Sequence, residues 1–326
     1  MSSVLVTGGT GVIGSWVTRK LIEQGEKVVI YSRHPDTTLI KDILNRVDSV
    51  EGDILDLPNL IQVIRTNSVD RIVHMSTALI DPLEVNPFMG YRINVDGTMN
   101  VLEASRLLDV KRVVYTSSMA VYNLPPHGEY AYPSCKPIDE DYPKAPPIVY
   151  GATKLFMENM GLSYHRIYGL DFIALRFSNS FGPLRQIRHG ILALHSKIIE
   201  SAMLEKPFKV FQDVDQLNEI MYVRDMANAI VLACFAENLE HRIFNVGTGS
   251  GETLRHFIEI VDRIYGGARI EITPSWEAEK DIWACIFNID RAREELGYAP
   301  QYDLEAGIGD YIETMKRLAI KPTVLS

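Results

Sequence analysis

Short apolar runs alternate with amphipathic stretches through the first 176 residues. Runs rich in β-branched residues predict strands at residues 4–7, 27–31, 49–52, 71–75, 111–116 and 171–176. Apolar positions at helical spacing predict helices between them, at residues 12–24, 57–66, 86–108 and 149–168. Strands that are apolar on both faces and alternate with helices are typical of a parallel sheet covered on both sides. The predicted fold class is therefore α/β, with a doubly wound parallel sheet.

The pattern loosens after residue 176. Helices are predicted at residues 189–204, 223–237, 254–265 and 304–318, and strands at 209–211 and 242–246. The helix and strand within residues 223–246 look like one more unit of the main sheet. We therefore expect residues 1–176 to form the sheet domain and residues 177–326 to form mainly a smaller C-terminal substrate-binding region, with 223–246 returning to the sheet.

Composition narrows the class of protein. Hydrophobic residues make up 46% of the 326 residues and charged residues 23%, which is typical of a globular protein. We expect no membrane span and a cytoplasmic location, because long apolar runs and leader features are lacking. A net charge of −9 argues against nucleic acid as a partner. Three widely spaced cysteines indicate reduced thiols, and no metal site is expected.

A glycine-rich turn follows the first predicted strand and opens the first helix. Residues 7–14 read TGGTGVIG, with glycines three residues apart. Such a turn lets the backbone approach a pyrophosphate, which then rests on the amides of the helix N-terminus. This context makes residues 1–176 a candidate dinucleotide-binding (Rossmann) domain. The predicted contacts are Gly8, Thr10, Gly11, Val12, Ile13 and Gly14.

The end of the second strand bears on which dinucleotide is bound. A carboxylate there would hold the ribose hydroxyl of NAD, but this chain has Ser32 and Arg33. A hydroxyl and a guanidinium suit a 2′-phosphate, so NADP is predicted, with NAD as the alternative. After the third strand, Asp53 and Ile54 are candidates to contact the adenine, although a turn residue explains Asp53 equally well.

A candidate catalytic group lies at the start of the helix predicted at 149–168. Tyr150 and Lys154 are four residues apart, which places both side chains on one helix face. A tyrosine has a pKa near 10, and a neighbouring ammonium, together with the positive ring of the cofactor, would favour the phenolate. Ser118, just after the fifth strand, supplies a hydroxyl to hold a substrate oxygen.

These residues together resemble the extended short-chain dehydrogenase/reductase family, which contains NAD(P)-dependent sugar-nucleotide epimerases and dehydratases. The resemblance covers nearly the whole chain and includes residues 73–77, 94–98, 114–122, 175–183, 244–249 and 290–300. It implies further cofactor contacts at Met75, Ser76, Thr77, Asn94 and Phe177, and substrate contacts at Ser118 and Asn179. It also implies that Lys154 holds the nicotinamide ribose, and that helices 86–108 and 149–168 form a homodimer.

The resemblance implies hydride transfer between a nicotinamide and a hydroxyl or carbonyl of a small-molecule substrate, with Tyr150 as acid and base. Sugar-nucleotide dehydratases of the family carry an Asp-Glu pair where this chain has Met119 and Ala120, which argues against dehydration.

The arginines that clamp a sugar-nucleotide diphosphate in the family are missing here. Asn218 takes the place of one, and residues 277–281 lack the other. Arg185, Arg188 and His189 are candidates to replace them. With NADP predicted as well, the sequence favours a carbonyl reductase or alcohol dehydrogenase for a possibly sugar-derived substrate. A sugar-nucleotide 4-epimerase is the alternative, and the complete triad disfavours a purely binding protein.

Overall fold

A computed structural model of the chain describes residues 3–79, 86–123, 128–185, 193–274 and 284–323. Its strands are β1 (Ser3–Thr7), β2 (Lys27–Ser32), β3 (Asp48–Glu51), β4 (Val69–His74), β5 (Arg112–Ser118), β6 (Asp171–Phe177), β7 (Asn179–Phe181), β8 (Phe208–Val210), β9 (Leu217–Asn218), β10 (Ile220–Tyr222), β11 (Ile243–Val246), β12 (Glu252–Thr253) and β13 (Ile270–Ile272). Seven of them form a parallel sheet in the order β11-β6-β5-β4-β1-β2-β3. The predicted α/β class with a doubly wound parallel sheet is confirmed.

Helices cover both faces of this sheet. They are α1 (Val12–Glu23), α2 (Leu57–Thr66), α3 (Pro87–Tyr91), α4 (Gly97–Leu107), α5 (Val149–Tyr168), α6 (Leu194–Met203), α7 (Val223–Phe235), α8 (Leu254–Tyr265), α9 (Asp290–Leu296) and α10 (Leu304–Arg317). Two apolar cores result, because alternate residues of a strand point to opposite faces. For example, Val4 and Val6 of β1 lie in one core and Leu5 lies in the other.

The sequence predicts one continuous helix over 86–108, whereas the structure has a composite one. Between α3 and α4, residues Arg92–Asp96 form a turn of wider π-helix. Such widened turns are frequent at functional sites because they re-aim one side chain. Here the turn contains Asn94, which is buried and points back towards the end of β4. The helix predicted at 189–204 begins at Leu194, and residues 189–192 lie outside the described residues.

Three small two-stranded sheets lie in the second half of the chain. Strand β7 pairs in parallel with β10, β8 pairs with β13, and β9 pairs antiparallel with β12. Because β7 begins two residues after β6 ends, the main sheet delivers Asn179 directly to this region. Strand β11 lies beside β6 at the edge of the main sheet. In the described ranges, no helix is both long and apolar enough to cross a bilayer.

Close packing of α5 on the sheet depends on Gly161. A methyl group at this position would lie 2.2 Å from the ring of Phe172 on β6, much closer than van der Waals contact. Gly309 of α10 is a contrasting helix glycine, since a methyl group there would meet no atom within 4 Å. The two glycines therefore separate the packing requirement from helix propensity.

We predict that Gly161→Ala lowers the free energy of unfolding by about 1–3 kcal/mol, because overpacking outweighs the gain in helix propensity. Gly309→Ala, the matched control, should raise it by up to about 1 kcal/mol. Urea denaturation of both variants measures the difference. Equal effects of the two substitutions would contradict the proposed packing of α5.

Candidate active site

A cleft opens at the carboxyl ends of the central strands, where parallel sheets of this type bind their ligands. Many of the predicted site residues line it: Gly8, Gly11, Val12, Ile13, Gly14, Met75, Thr77, Ser118, Tyr150, Lys154, Phe177 and Asn179. The sheet register explains part of this grouping. Ser118 is paired with Phe177 across β5 and β6, so the candidate catalytic serine and a predicted cofactor contact are adjacent.

The glycine turn at residues 7–14 has a backbone shape that requires glycine at two positions. Gly8 has a φ of +71°, in the left-handed region. A methyl group on Gly14 would lie 2.2 Å from the carbonyl oxygen of Gly8. The turn therefore leads into the N-terminus of α1 with its backbone exposed to the cleft, next to Val12 and Ile13. This shape and the helix amides fit the pyrophosphate of a dinucleotide.

A buried chain of hydrogen bonds ties the glycine turn to the neighbouring strand. The Thr7 hydroxyl lies 2.8 Å from Nδ1 of His74, and His74 Nε2 lies 3.0 Å from the Thr98 hydroxyl. Thr98 donates to the backbone oxygen of Asn94, so it must accept from His74. His74 is thus the neutral Nε2–H tautomer, and burial lowers its pKa to about 3. Its role here is structural.

Asn94 orders the loop after β4. Its amide oxygen accepts from the backbone of Ala78 at 2.7 Å and from the Thr77 hydroxyl at 2.9 Å, and its nitrogen donates to the oxygen of Ala78 at 3.0 Å. Asn94 is not among the residues that line the cleft. Asn94 thus holds a loop whose Met75 and Thr77 reach the cleft, and its own predicted cofactor contact stays a prediction.

Gly151 allows α5 to approach the cleft. A methyl group there would lie 1.9 Å from the oxygen of Ala120, in the single 3-10 turn Met119–Val121 that follows β5. This contact brings Tyr150 against Ser118, whose hydroxyl bonds to it. Ser118 also accepts the Ala120 amide at 3.2 Å. The serine thus caps this turn while its hydroxyl contacts the phenol of Tyr150.

Lys154 lies one helical turn beyond Tyr150 and is almost completely buried, with 2% of its surface exposed. Its ammonium donates to the oxygen of Thr116 at 2.8 Å and lies 5.5 Å from the centre of the Tyr150 ring and 4.8 Å from that of Tyr115. Burial lowers the pKa of Lys154 to about 7, and the carboxylate of Glu158 opposes this shift.

Opposing influences act on the pKa of the Tyr150 phenol. Burial raises its pKa to about 12, although the bond from Ser118 and the charge of Arg185 pull the pKa down. The sequence predicts that an ammonium and the positive ring of an oxidised nicotinamide nucleotide together favour the phenolate. Such a ring would add its charge to the stabilisation that the protein groups supply.

Several predicted cofactor residues lie outside the group that lines the cleft: Thr10, Ser32, Arg33, Asp53, Ile54 and Ser76. Arg33 is about half exposed and lies 3.8 Å from the carboxylate of Asp53. Asp53 also accepts the Leu55 amide at 2.9 Å, which makes it a turn residue. Ile54 is buried against Gly97. Nothing in these contacts tests the proposed adenine or ribose-phosphate roles.

Three serines outside the predicted set of site residues also line the cleft: Ser117, which precedes Ser118, and Ser178 and Ser180. Serines at strand ends carry no distinctive sequence signal. Asn179 donates to Asn218 at 3.4 Å, so the residue at the missing clamp position does face this region. Among the described residues that line the cleft, the cations are Lys154 and Arg185. Arg188, His189 and residues 277–281 lie outside the described residues.

The sequence profile of the NAD-dependent epimerase/dehydratase family matches residues 4–247. The chain belongs to this family. A UDP-glucose 4-epimerase of Halalkalibacterium halodurans is 30% identical to this family member over 318 residues, which cover 92% of this chain and 91% of the relative.

Solved structures agree with this assignment. A UDP-glucose 4-epimerase of Thermus thermophilus, in complex with NAD, matches with a TM-score of 0.82 and 26% identity over 96% of this chain and 99% of the other. A UDP-glucose 4-epimerase of Thermotoga maritima, solved with UDP-glucose, has the same TM-score at 25% identity, over 97% and 99%. The predicted family is therefore confirmed.

The hydrogen bonds of the Thr7 side chain predict that removal of its hydroxyl destabilises this family member. Thr7→Val keeps the side-chain shape but removes the hydroxyl that serves His74 Nδ1 and accepts the amides of Met75 at 3.1 Å and Ser76 at 3.2 Å. We expect a loss of about 2–4 kcal/mol in the free energy of unfolding, because the buried His74 ring and two partly buried amides lose a partner.

Thr18→Val is the matched control. Thr18 is equally buried, but its hydroxyl makes a single bond of 3.3 Å to the oxygen of Gly9. Its loss should cost about 1 kcal/mol. Denaturant titration compares the two variants, and a Thr7→Val protein as stable as Thr18→Val would show that the chain does not stabilise the turn.

Proposed function

We propose that this protein is a sugar-nucleotide 4-epimerase that regenerates a bound NAD in each turnover. The observation that carries the proposal is full-length similarity to UDP-glucose 4-epimerases, combined with a cleft in which Ser118, Tyr150 and Lys154 come together. Met119 and Ala120 line the same cleft, and neither can move a proton. The cleft therefore suits oxidation and reduction of one carbon better than elimination of water.

The residues of the chain have separate tasks in this proposal. Tyr150 takes the proton of the C4 hydroxyl and returns a proton to the same oxygen after the sugar has turned over. Ser118 holds that oxygen through its hydroxyl, and the Lys154 ammonium stabilises the phenolate. When bound on the glycine turn, the nucleotide supplies the hydride acceptor and donor. A nucleotide bound there would both accept and return the hydride, so the reaction would need no net oxidant.

Arg185 would face the reacting end of the sugar. Only 7% of its surface is exposed, and its guanidinium interacts electrostatically with Tyr150. Burial lowers the pKa of Arg185 to about 10, so it is a cation at neutral pH. This position beside Tyr150 argues against the role that the sequence suggested, a replacement for a clamp on the diphosphate.

A second candidate is an NADPH-dependent carbonyl reductase, which the sequence favoured. The specific observation behind it is the absence of a carboxylate after β2, where Ser32 and Arg33 stand. Membership of the NAD-dependent epimerase/dehydratase family and similarity to UDP-glucose 4-epimerases support NAD and epimerisation instead. Homodimer formation and a cytoplasmic location stay predictions as well. Both functions use the same triad, so turnover measurements distinguish them.

Incubation with UDP-glucose or another UDP-hexose should give the C4 epimer, without net formation of reduced nicotinamide. Tyr150→Phe should lower kcat roughly 100- to 10,000-fold, because the proton acceptor is lost, while cofactor binding is retained. Tyr168→Phe, on the exposed end of the same helix, is the matched control and should turn over normally. Stoichiometric consumption of NADPH with a carbonyl substrate, and no epimerisation, would establish the reductase.

Cofactor preference is tested by titrating cofactor-free protein with NAD and NADP. We expect NAD to bind at least as tightly as NADP. Arg33→Ala should change the Kd for NAD by no more than about twofold, because Arg33 is exposed and its ion pair with Asp53 spans 3.8 Å. If NADP binds more tightly and Arg33→Ala weakens it about tenfold or more, the sequence-based NADP prediction is correct.

A further inference from the structure

A third residue follows Tyr150 and Lys154 on the same face of α5. Glu158 lies four residues beyond Lys154, so the three side chains recur at one-turn spacing. Only 2% of the Glu158 surface is exposed. The helix thus presents a phenol, an ammonium and a carboxylate in order, from the cleft towards the interior. The proposed chemistry uses the first two and gives no role to the third.

Strand β6 and strand β5 hold the carboxylate from the other side. Arg176 donates to both oxygens of Glu158, from Nε at 3.0 Å and from Nη2 at 2.7 Å. Ser117, which lines the cleft next to Ser118, donates its hydroxyl to Glu158 at 2.5 Å. Arg176 and Ser117 face each other across the paired strands, so the register of the sheet builds this receptor for a carboxylate.

The ion pair does more than hold the helix against the sheet. A fully buried ion pair is costly to desolvate, and an apolar pair of similar volume often gives equal or greater stability. Arg176 is held further by bonds to the Tyr122 hydroxyl at 2.6 Å and to the oxygen of Glu140 at 3.0 Å. Of the described carboxylates, Glu158 is the one that favours the charged form of the buried Lys154.

We propose that Glu158 is a positioning residue which keeps Lys154 protonated inside the cleft, with Arg176 and Ser117 holding its carboxylate in place. The inference rests on the proposed role of the Tyr150–Lys154 pair. Without the carboxylate, the pKa of the desolvated lysine would fall below its value of about 7, so the lysine would be neutral at pH 7. The phenolate of Tyr150 would then lose its stabilising partner.

Charged and titratable groups on the neighbouring elements also surround Lys154 and Glu158. Tyr115 of β5 and the neutral His74 of β4 face Lys154. Around Glu158 lie Arg176, Tyr122, Tyr115 and Lys144. The tyrosines have pKa values raised by burial, so they stay neutral as Lys154 titrates. Among these groups, Glu158 is the one whose charge favours the protonated form of Lys154.

The test is titration of Lys154 by NMR in cofactor-free protein labelled at the lysine ε-carbon. The Lys154 signal is the one missing from a Lys154→Met protein. Glu158→Gln should lower the pKa of Lys154 by about one pH unit relative to the wild type. In the NAD-loaded protein, the alkaline limb of the activity profile should move to lower pH by the same amount, because activity needs the protonated lysine.

Two further variants distinguish a direct effect on the Lys154 titration from a general disturbance of the fold. Glu158→Gln leaves Arg176 buried without its carboxylate, so the double variant Glu158→Gln/Arg176→Gln removes both charges and should show a smaller shift in the same direction. Asp171→Asn is the matched control, because it breaks the ion pair with Arg112 at the opposite end of the same two strands. It should leave the Lys154 titration unchanged.

The outcomes separate this inference from the proposed function. A Lys154 titration that is the same in the wild type, Glu158→Gln and the double variant would overturn the inference, even if the protein epimerises sugars. A shifted titration supports the role of Glu158, even if no epimerisation is found. A uniform fall in kcat with an unmoved pH profile would reduce Glu158 to a structural residue.

Discussion

The close approach of helix α5 to the end of strand β5 determines the chemistry of this cleft. Gly151 lets the helix approach the oxygen of Ala120 to a distance that no side chain would tolerate. As a result, the phenol of Tyr150 meets Ser118, and the Lys154 ammonium reaches the oxygen of Thr116 at 2.8 Å. A small displacement of the helix would separate all three groups at once, so one packing contact controls the geometry of the candidate site.

The opposite wall of the cleft is fixed by a different kind of constraint. There the backbone must stay open to a pyrophosphate, and polar side chains rather than apolar contacts hold it in place. The chain from Thr7 through His74 and Thr98 to Asn94 spans β1, β4 and the widened helical turn. Because each donor in it has one acceptor, the network defines a single arrangement. The cofactor side is thus ordered before any ligand arrives.

The sequence predicted the main sheet well, because strands buried on both faces leave continuous apolar runs at positions such as 4–6 and 172–175. The glycine turn and the tyrosine-lysine pair were visible because their spacing is local. Other features depend on distant partners. The π turn around Asn94 and the Glu158–Arg176 pair arise from packing between elements, and no local pattern encodes them. The two-residue strands β9 and β12 are too short to give a periodic signal.

In the proposed mechanism, Tyr150 exchanges a proton with the C4 oxygen and does not remove the hydrogen bound to C4. An isotope measurement tests this claim directly. A UDP-hexose carrying deuterium at C4 would be converted in ordinary water. If the proton on oxygen passes through Tyr150 and the hydrogen on carbon travels as a hydride within the cleft, the epimeric product retains the deuterium at C4. Loss of the deuterium to solvent would mean that a side chain removes the carbon-bound hydrogen as a proton, which contradicts the account.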